Sequence, residues 1–250
     1  MVRITETVKI LLGINILMFV VTLMMGDMAY HWFAMHFPYN ERFQFWQIIT
    51  HMFMHGDEMH LLLNMFMLYM FGSVMEETLG RSKFLFLYFS AGLGALGLHV
   101  LFLYIGYQTS YQAFIDAGIT PEMIHELLDR ITRTGQFQYF TNMPMEVSSS
   151  LYSSYFSSMV GASGAVFGLL AAFAVMYPNM PLYLFFIPVP IKAKYLIGAY
   201  FVYSLYAAIS GNQLAGPANI AHWAHIGGAI FGFIMMWYWK KNSFNDRRWY

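Results

Sequence analysis

Long apolar stretches recur along this chain and alternate with segments rich in polar and aromatic residues. A helix needs about 20 apolar residues to cross a hydrocarbon core of ~30 Å, and a single strand would leave its backbone groups unpaired in lipid. Six stretches have that length, at roughly 8–25, 58–77, 84–106, 158–177, 192–210 and 221–239. The pattern predicts an all-α membrane protein whose six transmembrane helices form a single domain over residues 1–250.

The composition agrees with a membrane protein. Of the 250 residues, 58% are hydrophobic and 10% are charged, whereas a soluble domain carries about a quarter charged residues. The net charge is zero, and the chain has no run of Lys and Arg that could neutralise phosphates, which excludes a nucleic-acid partner. The absence of cysteine excludes disulfides and thiolate metal sites.

Basic residues predict the orientation, because the cytoplasmic segments of membrane proteins are enriched in Lys and Arg. One side of the predicted topology holds Arg3, Lys9, Arg81, Lys83, Lys192, Lys194, Lys240, Lys241, Arg247 and Arg248. The segments 26–57, 107–157 and 211–220, on the other side, hold only Arg42, Arg130 and Arg133. This asymmetry predicts that both termini are cytoplasmic, in agreement with an even number of spans. No small-residue cleavage site follows the first stretch, so we expect it to be a retained helix and not a signal peptide.

The outer segment 26–57 is unusually aromatic. Between residues 27 and 50 its aromatic residues are Tyr30, Trp32, Phe33, Phe37, Tyr39, Phe43, Phe45 and Trp46. Polar residues interrupt this segment too often for a span, and such rings favour the headgroup layer. We therefore expect this loop to lie partly in the membrane surface.

The outer segment 107–157 carries the pattern of a short amphipathic helix. Thr120 can cap that helix, Pro121 fits its first position, and Gly135 follows its last turn. Its apolar stripe is formed by Met123, Ile124, Leu127, Leu128 and Ile131. The sequence leaves open whether the helix packs on the outer mouth of the bundle or lies on lipid.

Four polar residues lie within the predicted spans, where such groups are costly and indicate function. His60 and Asn64 share one face of the second span. Ser163 lies in the fourth span within the string Gly-Ala-Ser-Gly, and His225 lies in the sixth within Ala-His-Ile-Gly-Gly. At 1.5 Å per residue, Ser163, His225 and Asn64 lie roughly 8, 6 and 9 Å below the outer boundary. Three separate helices are thus predicted to bring a serine, a histidine and an asparagine to one level.

Glycines beside these residues would let the helices approach closely. Gly161 and Gly164 flank the serine, and Gly228 and Gly232 follow the histidine at GxxxG spacing. Small residues of this kind allow membrane helices to come into backbone contact. The serine and the histidine could then reach the separation of ~3 Å that a hydrogen bond requires.

The residues at this level predict acyl transfer. Ser163 would attack a carbonyl as nucleophile, and His225 would take and return the proton as general base. His60 and Asn64 would donate hydrogen bonds to the oxyanion.

A third catalytic member is not evident. The chain has no acidic residue between Glu146 and Asp246, which excludes one from the last three spans and the loops that join them. Asp57 and Glu58 lie at the mouth of the second span and are too near the surface. We therefore expect a dyad without a carboxylate to orient the histidine.

At these residues the chain resembles the rhomboid family, over about residues 8–240. Three motifs occur on the expected helices. Gly161-Ala162-Ser163-Gly164 fits the family's G-x-S-G, and Ala224-His225 with Gly228 and Gly232 fits its A-H-x-x-G-x-x-x-G. His60-x-x-x-Asn64, preceded by His51 and His55, fits its second-helix pattern. The resemblance implies a six-helix intramembrane serine protease of the bacterial type, with His60 and Asn64 lining the oxyanion hole. It implies cleavage of single-span transmembrane proteins near their outer membrane boundary, with water entering from outside and with no metal or cofactor. As no organelle-targeting segment is seen, it also implies a bacterial cell inner membrane.

Three features depart from the family pattern. The family often has Trp-Arg in its first outer loop, where this chain has Trp46-Gln47. Many bacterial members have a tyrosine stacked on the catalytic histidine four residues after the nucleophile, and here that residue is Phe167. The segment 107–157 is longer than expected. None of these departures removes a catalytic group.

Each polar residue also has a purely structural interpretation. Ser163 alone could be a small helix-packing residue, and His225 and His222 could be interfacial histidines near a helix end, which is the favoured interpretation for His222. His60 and Asn64 could only brace their helix.

Two further histidines, His51 and His55, could bind a metal, although packing within the loop is favoured because no clear third ligand is visible. His99 has no role in any of these interpretations.

Three other classes of protein are alternatives. A membrane metalloprotease would need H-E-x-x-H, and residues 125–129 read His-Glu-Leu-Leu-Asp. A transporter or channel would need charged groups near the midplane, which the spans almost lack. A catalytically inactive rhomboid relative that binds client transmembrane helices would typically lack the serine or the histidine, and this chain has both.

Overall fold

The computed structural model describes residues 3–140, 143–184, 187–210 and 221–242. The helices are α1 (Glu6–Met25), α2 (Asp27–Phe33), α3 (Gln47–Thr50), α4 (Glu58–Met67), α5 (Ser73–Leu79), α6 (Arg81–Asp116), α7 (Pro121–Thr134), α8 (Met145–Tyr155), α9 (Ser163–Met176), α10 (Ala193–Ser210) and α11 (His222–Asn242). The short strands are β1 (Met35–His36), β2 (Ser158–Met159), β3 (Pro181–Leu184) and β4 (Ile187–Lys192). A 3-10 turn, His51–Phe53, follows α3, and a π turn, Leu68–Gly72, joins α4 to α5.

Helices occupy all six predicted stretches. Among the described residues, three helical segments are long and apolar enough to cross a membrane: Glu6–Met25, Glu58–Leu79 and Arg81–Asp116. The prediction of a helical membrane protein is confirmed. Helix α9 has only 14 residues, and the count of six spans stays a prediction. The predicted outer segment 211–220 lies outside the described residues, as do Arg247 and Arg248.

The chain forms two compact units. The first consists of Met1–Met35, Gln44–His99 and Met159–Tyr250, and the second of His36–Phe43 and Val100–Ser158. Each unit has a hydrophobic core of its own. That residues 1–250 act as one domain stays a prediction.

The core of the first unit joins α1, α5, α6, α9 and α11. Its most deeply buried side chains include Val8, Leu68, Met75, Phe84, Leu87 and Leu169. The opposite faces of α1 and α11 expose large apolar side chains such as Leu17 and Phe233. A helix that is apolar on its exposed face is suited to lipid contact.

Helices α9 and α11 pack backbone against backbone at their glycines. A methyl group added to Gly228 would overlap the carbonyl oxygen of Gly164, and one added to Gly232 would overlap that of Gly168. No residue larger than glycine fits either position on α11 at this separation. The GxxxG spacing therefore sets how near α11 lies to α9, as expected for small-residue helix contacts.

The predicted amphipathic helix is present as α7 in the second unit. The side chain of Thr120 accepts a hydrogen bond from the backbone N–H of Met123 at 3.4 Å, and Gly135 ends the helix with φ of 68°. The buried stripe is Ile124, Leu127, Leu128 and Ile131, packed with Phe114 and Leu151. Met123 is 46% exposed and does not belong to the stripe, contrary to the prediction. Because the protein covers the stripe, α7 packs within its own unit and does not use that face on lipid.

Helix α8 and a hairpin are among the elements that the sequence analysis does not predict. Helix α8 contains five serines and has a weak apolar periodicity. Strands β3 and β4 form an antiparallel hairpin, with Pro181 paired to Lys192 and Leu182 to Ile191. Both elements are too short to show the long apolar pattern that predicts the spans.

Candidate active site

Helix α9 begins at Ser163, so the serine lies at a helix N-terminus. The apolar pattern instead predicts a start near residue 158. The first backbone hydrogen bond of the helix joins Val166 N–H to the Ala162 carbonyl at 2.9 Å. The amides of Ser163 and Gly164 precede that bond and have no acceptor within the helix, and the helix dipole adds partial positive charge at this end. The serine is therefore surrounded by backbone donors that a negatively charged oxygen could use.

Gly161 explains why the helix starts so late. Its φ of 124° is a backbone conformation that residues with a side chain rarely adopt. Its N–H donates to the carbonyl of His51 at 2.9 Å. A methyl group on Gly161 would lie 2.9 Å from both Cε1 and Nε2 of His60, and 3.7 Å from the Ser163 hydroxyl oxygen. Only glycine fits here, and its small size lets the His60 ring lie next to the serine.

Ser163 and His225 are within hydrogen-bonding distance. The Ser163 hydroxyl oxygen and Nε2 of His225 are 3.0 Å apart. His225 lies in the first turn of α11 and is buried. The glycine contacts between α9 and α11 hold the two helices close enough for this bond. A nucleophile and a base at this distance can exchange a proton.

The His225 ring is stacked on an aromatic side chain of α9. Its centroid is 4.1 Å from that of Phe167, with 26° between the ring planes. The other face of Phe167 stacks on Tyr200 of α10, at 4.9 Å and 18°. Phenylalanine thus provides the stacking that the family's tyrosine was expected to provide.

No carboxylate orients His225 within the part of the chain that is described. Its Nδ1 atom is buried and has no hydrogen-bond partner there. Asp57, one of the two acidic residues near this level, instead caps α4, with its Oδ1 accepting from the backbone N–H of His60 at 2.8 Å. This capping is the ordinary role of aspartate at a helix start.

His60 and Asn64 are placed differently with respect to the serine. The cap at Asp57 puts His60 in the first turn of α4, where its ring reaches Gly161. The buried Asn64 amide donates to the backbone carbonyl of His60 at 3.0 Å. One of its two N–H groups is thus used within its own helix and one remains. The oxyanion roles of both residues stay predictions.

The first outer loop is fixed by side chains that bond to its backbone. The indole N–H of Trp46 donates to the carbonyl of Trp32 at 2.9 Å, and the two rings stack with centroids 6.0 Å apart. The Thr50 hydroxyl donates to the carbonyl of Phe33 at 2.8 Å. Helix α3 and the residue before it are thereby tied to α2.

Gln47, which occupies the position of the family's arginine, is fully buried in this loop. Its amide donates to the His31 carbonyl at 3.1 Å, and its side-chain oxygen accepts from the N–H of Gln44 at 3.1 Å. A neutral side chain therefore braces the loop here. The sequence could not reveal this, because the partners are backbone groups that only folding brings near.

His51 and His55 are both buried in the segment before α4. Nδ1 of His51 is 2.7 Å from the carbonyl of Gln47, and burial lowers the pKa of His51 to about 4. His55 meets the ring of His60 edge-on, at 5.1 Å, and burial lowers the pKa of His55 to about 3. Both side chains are packed as neutral rings, and the described residues contain no cluster of three His, Asp or Glu side chains that could hold a metal.

His222 differs from its expected place at the membrane surface. It is the first residue of α11 but is only 5% exposed. Its ring meets Tyr203 and His225 edge-on, with centroids 5.8 and 6.2 Å away. Contacts with α10 cover it, and this helix pairing cannot be read from the spacing of residues.

Comparison with known proteins gives relatives from two kinds of organism. The chain is 24% identical over 217 residues to the uncharacterized rhomboid protein P4H10.10, mitochondrial, of Schizosaccharomyces pombe, covering 80% of this chain and 53% of that protein. It is 27% identical over 198 residues to rhomboid protein 1, mitochondrial, of Saccharomyces cerevisiae, covering 78% and 42%. Rhomboid protease GlpG of Yersinia pestis is 34% identical over 73 residues, covering 29% and 26%. The chain thus spans about half or less of the length of these relatives.

These relatives correct one expectation. The two that align with about four fifths of the chain carry mitochondrial names, so the placement in a bacterial cell inner membrane with cytoplasmic termini is wrong. The physical reason is that an excess of basic residues on one side predicts which ends share a side, but does not identify the membrane.

The family is shown by a match that covers most of the chain. A family model described as the Rhomboid domain matches residues 42–115 and 128–242. These ranges include the serine, the two histidines and the asparagine discussed above. The chain belongs to the rhomboid family.

Proposed function

We propose that this protein is an intramembrane serine endopeptidase that uses Ser163 and His225 as a catalytic dyad. The observation that carries the proposal is the 3.0 Å separation between the serine hydroxyl and Nε2 of the histidine at the start of α9. Membership of a family that includes a protein named rhomboid protease supports the reaction class. His225 is buried and Ser163 is half-buried among apolar helices, which suits a reaction on a peptide bond drawn out of a membrane.

The reaction begins with proton transfer from the Ser163 hydroxyl to Nε2 of His225, while the serine oxygen attacks the substrate carbonyl carbon. The resulting tetrahedral intermediate collapses when the protonated histidine gives its proton to the leaving amine. This breaks the peptide bond and leaves an acyl ester on Ser163. A water molecule then attacks the ester with His225 again as base, which releases the second product and restores the serine.

The oxyanion would form at the N-terminus of α9. The backbone amides of Ser163 and Gly164 have no acceptor in the helix, and the helix dipole favours negative charge there. The His60 ring, against Gly161, is near enough to add a side-chain donor. Preorganised donors of this kind are worth about 10²–10³ in rate each.

The substrate class follows from the depth of the site. The dyad lies at the outer ends of α9 and α11 in the predicted topology, with the basic residues at the opposite ends. We infer cleavage of single-span transmembrane proteins near their outer membrane boundary, with water reaching the ester from that side. The names of the two long-matching relatives favour a mitochondrial membrane as the compartment.

The test is cleavage of a model single-span protein by purified protein in liposomes. Wild type is expected to cleave, and Ser163→Ala and His225→Ala are expected to lose at least about 10³-fold in rate, since both groups act in one step. Ser153→Ala provides a matched control, because Ser153 is an exposed serine on α8. Cleavage by Ser163→Ala at the wild-type rate would end the proposal.

A catalytically inactive protein that binds client helices is the alternative, and covalent labelling separates it from an enzyme. A tagged fluorophosphonate is expected to label wild type and Ser153→Ala but not Ser163→Ala. Absence of both labelling and cleavage in folded wild type, together with retention of a client helix, would favour the binding protein.

A further inference from the structure

A small cavity borders the ring of His225 between α9, α10 and α11. It is lined by Phe167, Ile197, Phe201, Ser204, His225 and Ala229. About 10 Å³ of it is open to the centre of a water-sized sphere. One water molecule needs roughly 10–15 Å³ by this measure, and sites for small organic ligands are far larger, at about 300–1,000 Å³. The cavity therefore suits water better than an organic ligand.

Two polar atoms of the lining residues are buried without a partner. Nδ1 of His225 and the hydroxyl oxygen of Ser204 make no hydrogen bond to any residue that the structure describes. Their side chains are 8% and 1% exposed. The hydroxyl of Tyr200, one turn earlier on α10, is close enough to interact with the Ser204 side chain, although no hydrogen bond of ordinary length satisfies the Ser204 oxygen. Buried polar atoms are almost always satisfied by protein or by ordered water, so two of them beside one cavity indicate a bound water molecule.

The proposed reaction requires a partner for Nδ1. When Nε2 of His225 accepts the serine proton, the neutral ring carries its own proton on Nδ1. In serine proteases with a triad, a carboxylate accepts that Nδ1–H and fixes the ring tautomer. No described carboxylate contacts His225, so another acceptor must do so if the ring is to keep this tautomer.

We propose that a water molecule in this cavity accepts the Nδ1–H of His225 and is held by the hydroxyl of Ser204. Ser204 is then a positioning residue. It acts on the nucleophile Ser163 through the water molecule and His225. A water-mediated bond is nearly as favourable in enthalpy as a direct one. The site itself stands on the cavity and the two unpaired atoms, and only its effect on rate rests on the proposed protease function.

The direct test is the ring proton of His225 in wild-type protein, observed by ¹H–¹⁵N NMR after histidine labelling and assigned by its absence in His225→Gln. The expected wild-type ring is protonated on Nδ1, with a proton shifted downfield by hydrogen bonding and protected from exchange. Ser204→Val is expected to shift that proton upfield or abolish its signal. A wild-type ring protonated on Nε2, or an Nδ1 proton unchanged in Ser204→Val, would overturn the assignment.

A second spectrum addresses the neighbouring phenol. Tyr200→Phe keeps the ring that stacks on Phe167 and removes only the hydroxyl. The Nδ1 proton is expected to remain in this variant. Its loss would assign the role to the Tyr200 hydroxyl and overturn the role of Ser204.

The rate comparison uses threonine and valine at position 204, because they have nearly the same shape and only threonine has a hydroxyl. Ser204→Val and Ser204→Ala are expected to lower kcat about tenfold without changing KM, as for loss of one buried hydrogen bond. Ser204→Thr is expected to restore kcat. Equal rates for the threonine and valine variants would show that packing, and not the hydroxyl, is what matters.

The two proposals fail in different ways. If wild type shows the Ser204-dependent Nδ1 proton but cleaves no substrate, the protease function fails and the water site stands. If wild type cleaves and the Nδ1 proton signal is unchanged in Ser204→Val, the water site fails and the protease function stands.

Discussion

The ring of Phe167 lies face to face with the ring of His225, with centroids 4.1 Å apart. The other face of Phe167 stacks on Tyr200. His225 therefore packs against two stacked rings, one from α9 and one from α10. A stacked ring limits rotation of the imidazole about its side-chain bonds. The stack therefore helps to keep Nε2 aimed at Ser163.

Replacing this ring by an aliphatic side chain is expected to impair catalysis more than folding. Phe167→Leu should lower kcat about three- to tenfold, because an aromatic pair is worth about 0.5–1.5 kcal/mol beyond the area it buries. Phe167→Tyr keeps the ring and should retain wild-type kcat. The measurement is liposome cleavage corrected for folded protein, and full activity of Phe167→Leu would show that the stack is dispensable.

The glycine contacts between α9 and α11 predict a sharp difference in stability. Gly228→Ala should lower the free energy of unfolding by about 1–3 kcal/mol or more, because the added methyl group overlaps the Gly164 carbonyl and the helices must separate. Gly198→Ala is the matched control, since no atom lies within 4 Å of a methyl group at that helical position. It should be neutral, or more stable by up to about 1 kcal/mol, because alanine favours helix. Thermal unfolding in detergent, followed by tryptophan fluorescence, compares the two, and equal loss in both would contradict the close contact.

Gly161 is expected to matter for activity beyond its effect on stability. Gly161→Ala must leave a φ of 124° and also displace the His60 ring, so the rate per folded molecule should fall at least about tenfold. In Gly135→Ala the backbone is also strained, at φ of 68°, but nothing lies within 4 Å of the new methyl group. That control should lose about 1 kcal/mol of stability and keep its rate. If both variants cleave equally well, the contact between Gly161 and His60 has no part in catalysis.

The buried His51 predicts a loss of stability in mild acid. Its pKa is lowered by burial to about 4 in the folded protein, against about 6.5 in an unfolded chain. Between these values the unfolded state binds a proton that the folded state does not. The contribution of His51 to stability should therefore fall by up to about 3 kcal/mol as the pH drops from about 6.5 to about 4, and stay constant below that.

The variant His51→Gln isolates this effect. It should unfold at a lower temperature than wild type at pH 7 and show a smaller decrease between pH 7 and pH 4.5. His125→Gln serves as control, because His125 is exposed on α7, and it should keep the wild-type pH dependence. An unchanged slope in His51→Gln would mean that other groups cause the acid sensitivity.

Some helices could be predicted from the sequence because the pattern that identifies them lies within their own residues. Apolar length identified the stretches that became α1, α6 and α11, and capping residues placed both ends of α7. The motif residues also predict the chemistry, because a serine and a histidine lie beside glycines on two separate spans. The start of α9 was misplaced by five residues, since the conformation of Gly161 depends on a hydrogen bond to His51 across 110 positions of sequence.

What the sequence by itself determined is a helical membrane protein of a recognisable family, and its residue types predict acyl transfer. Only the tertiary structure decided that Ser163 starts a helix, that Gln47 braces the first loop, that His222 is buried, and that Nδ1 of His225 faces no described carboxylate. The physical reason is that periodicity and spacing report on one helix at a time. Hydrogen-bond partners and cavities arise between helices, at positions that are far apart along the chain.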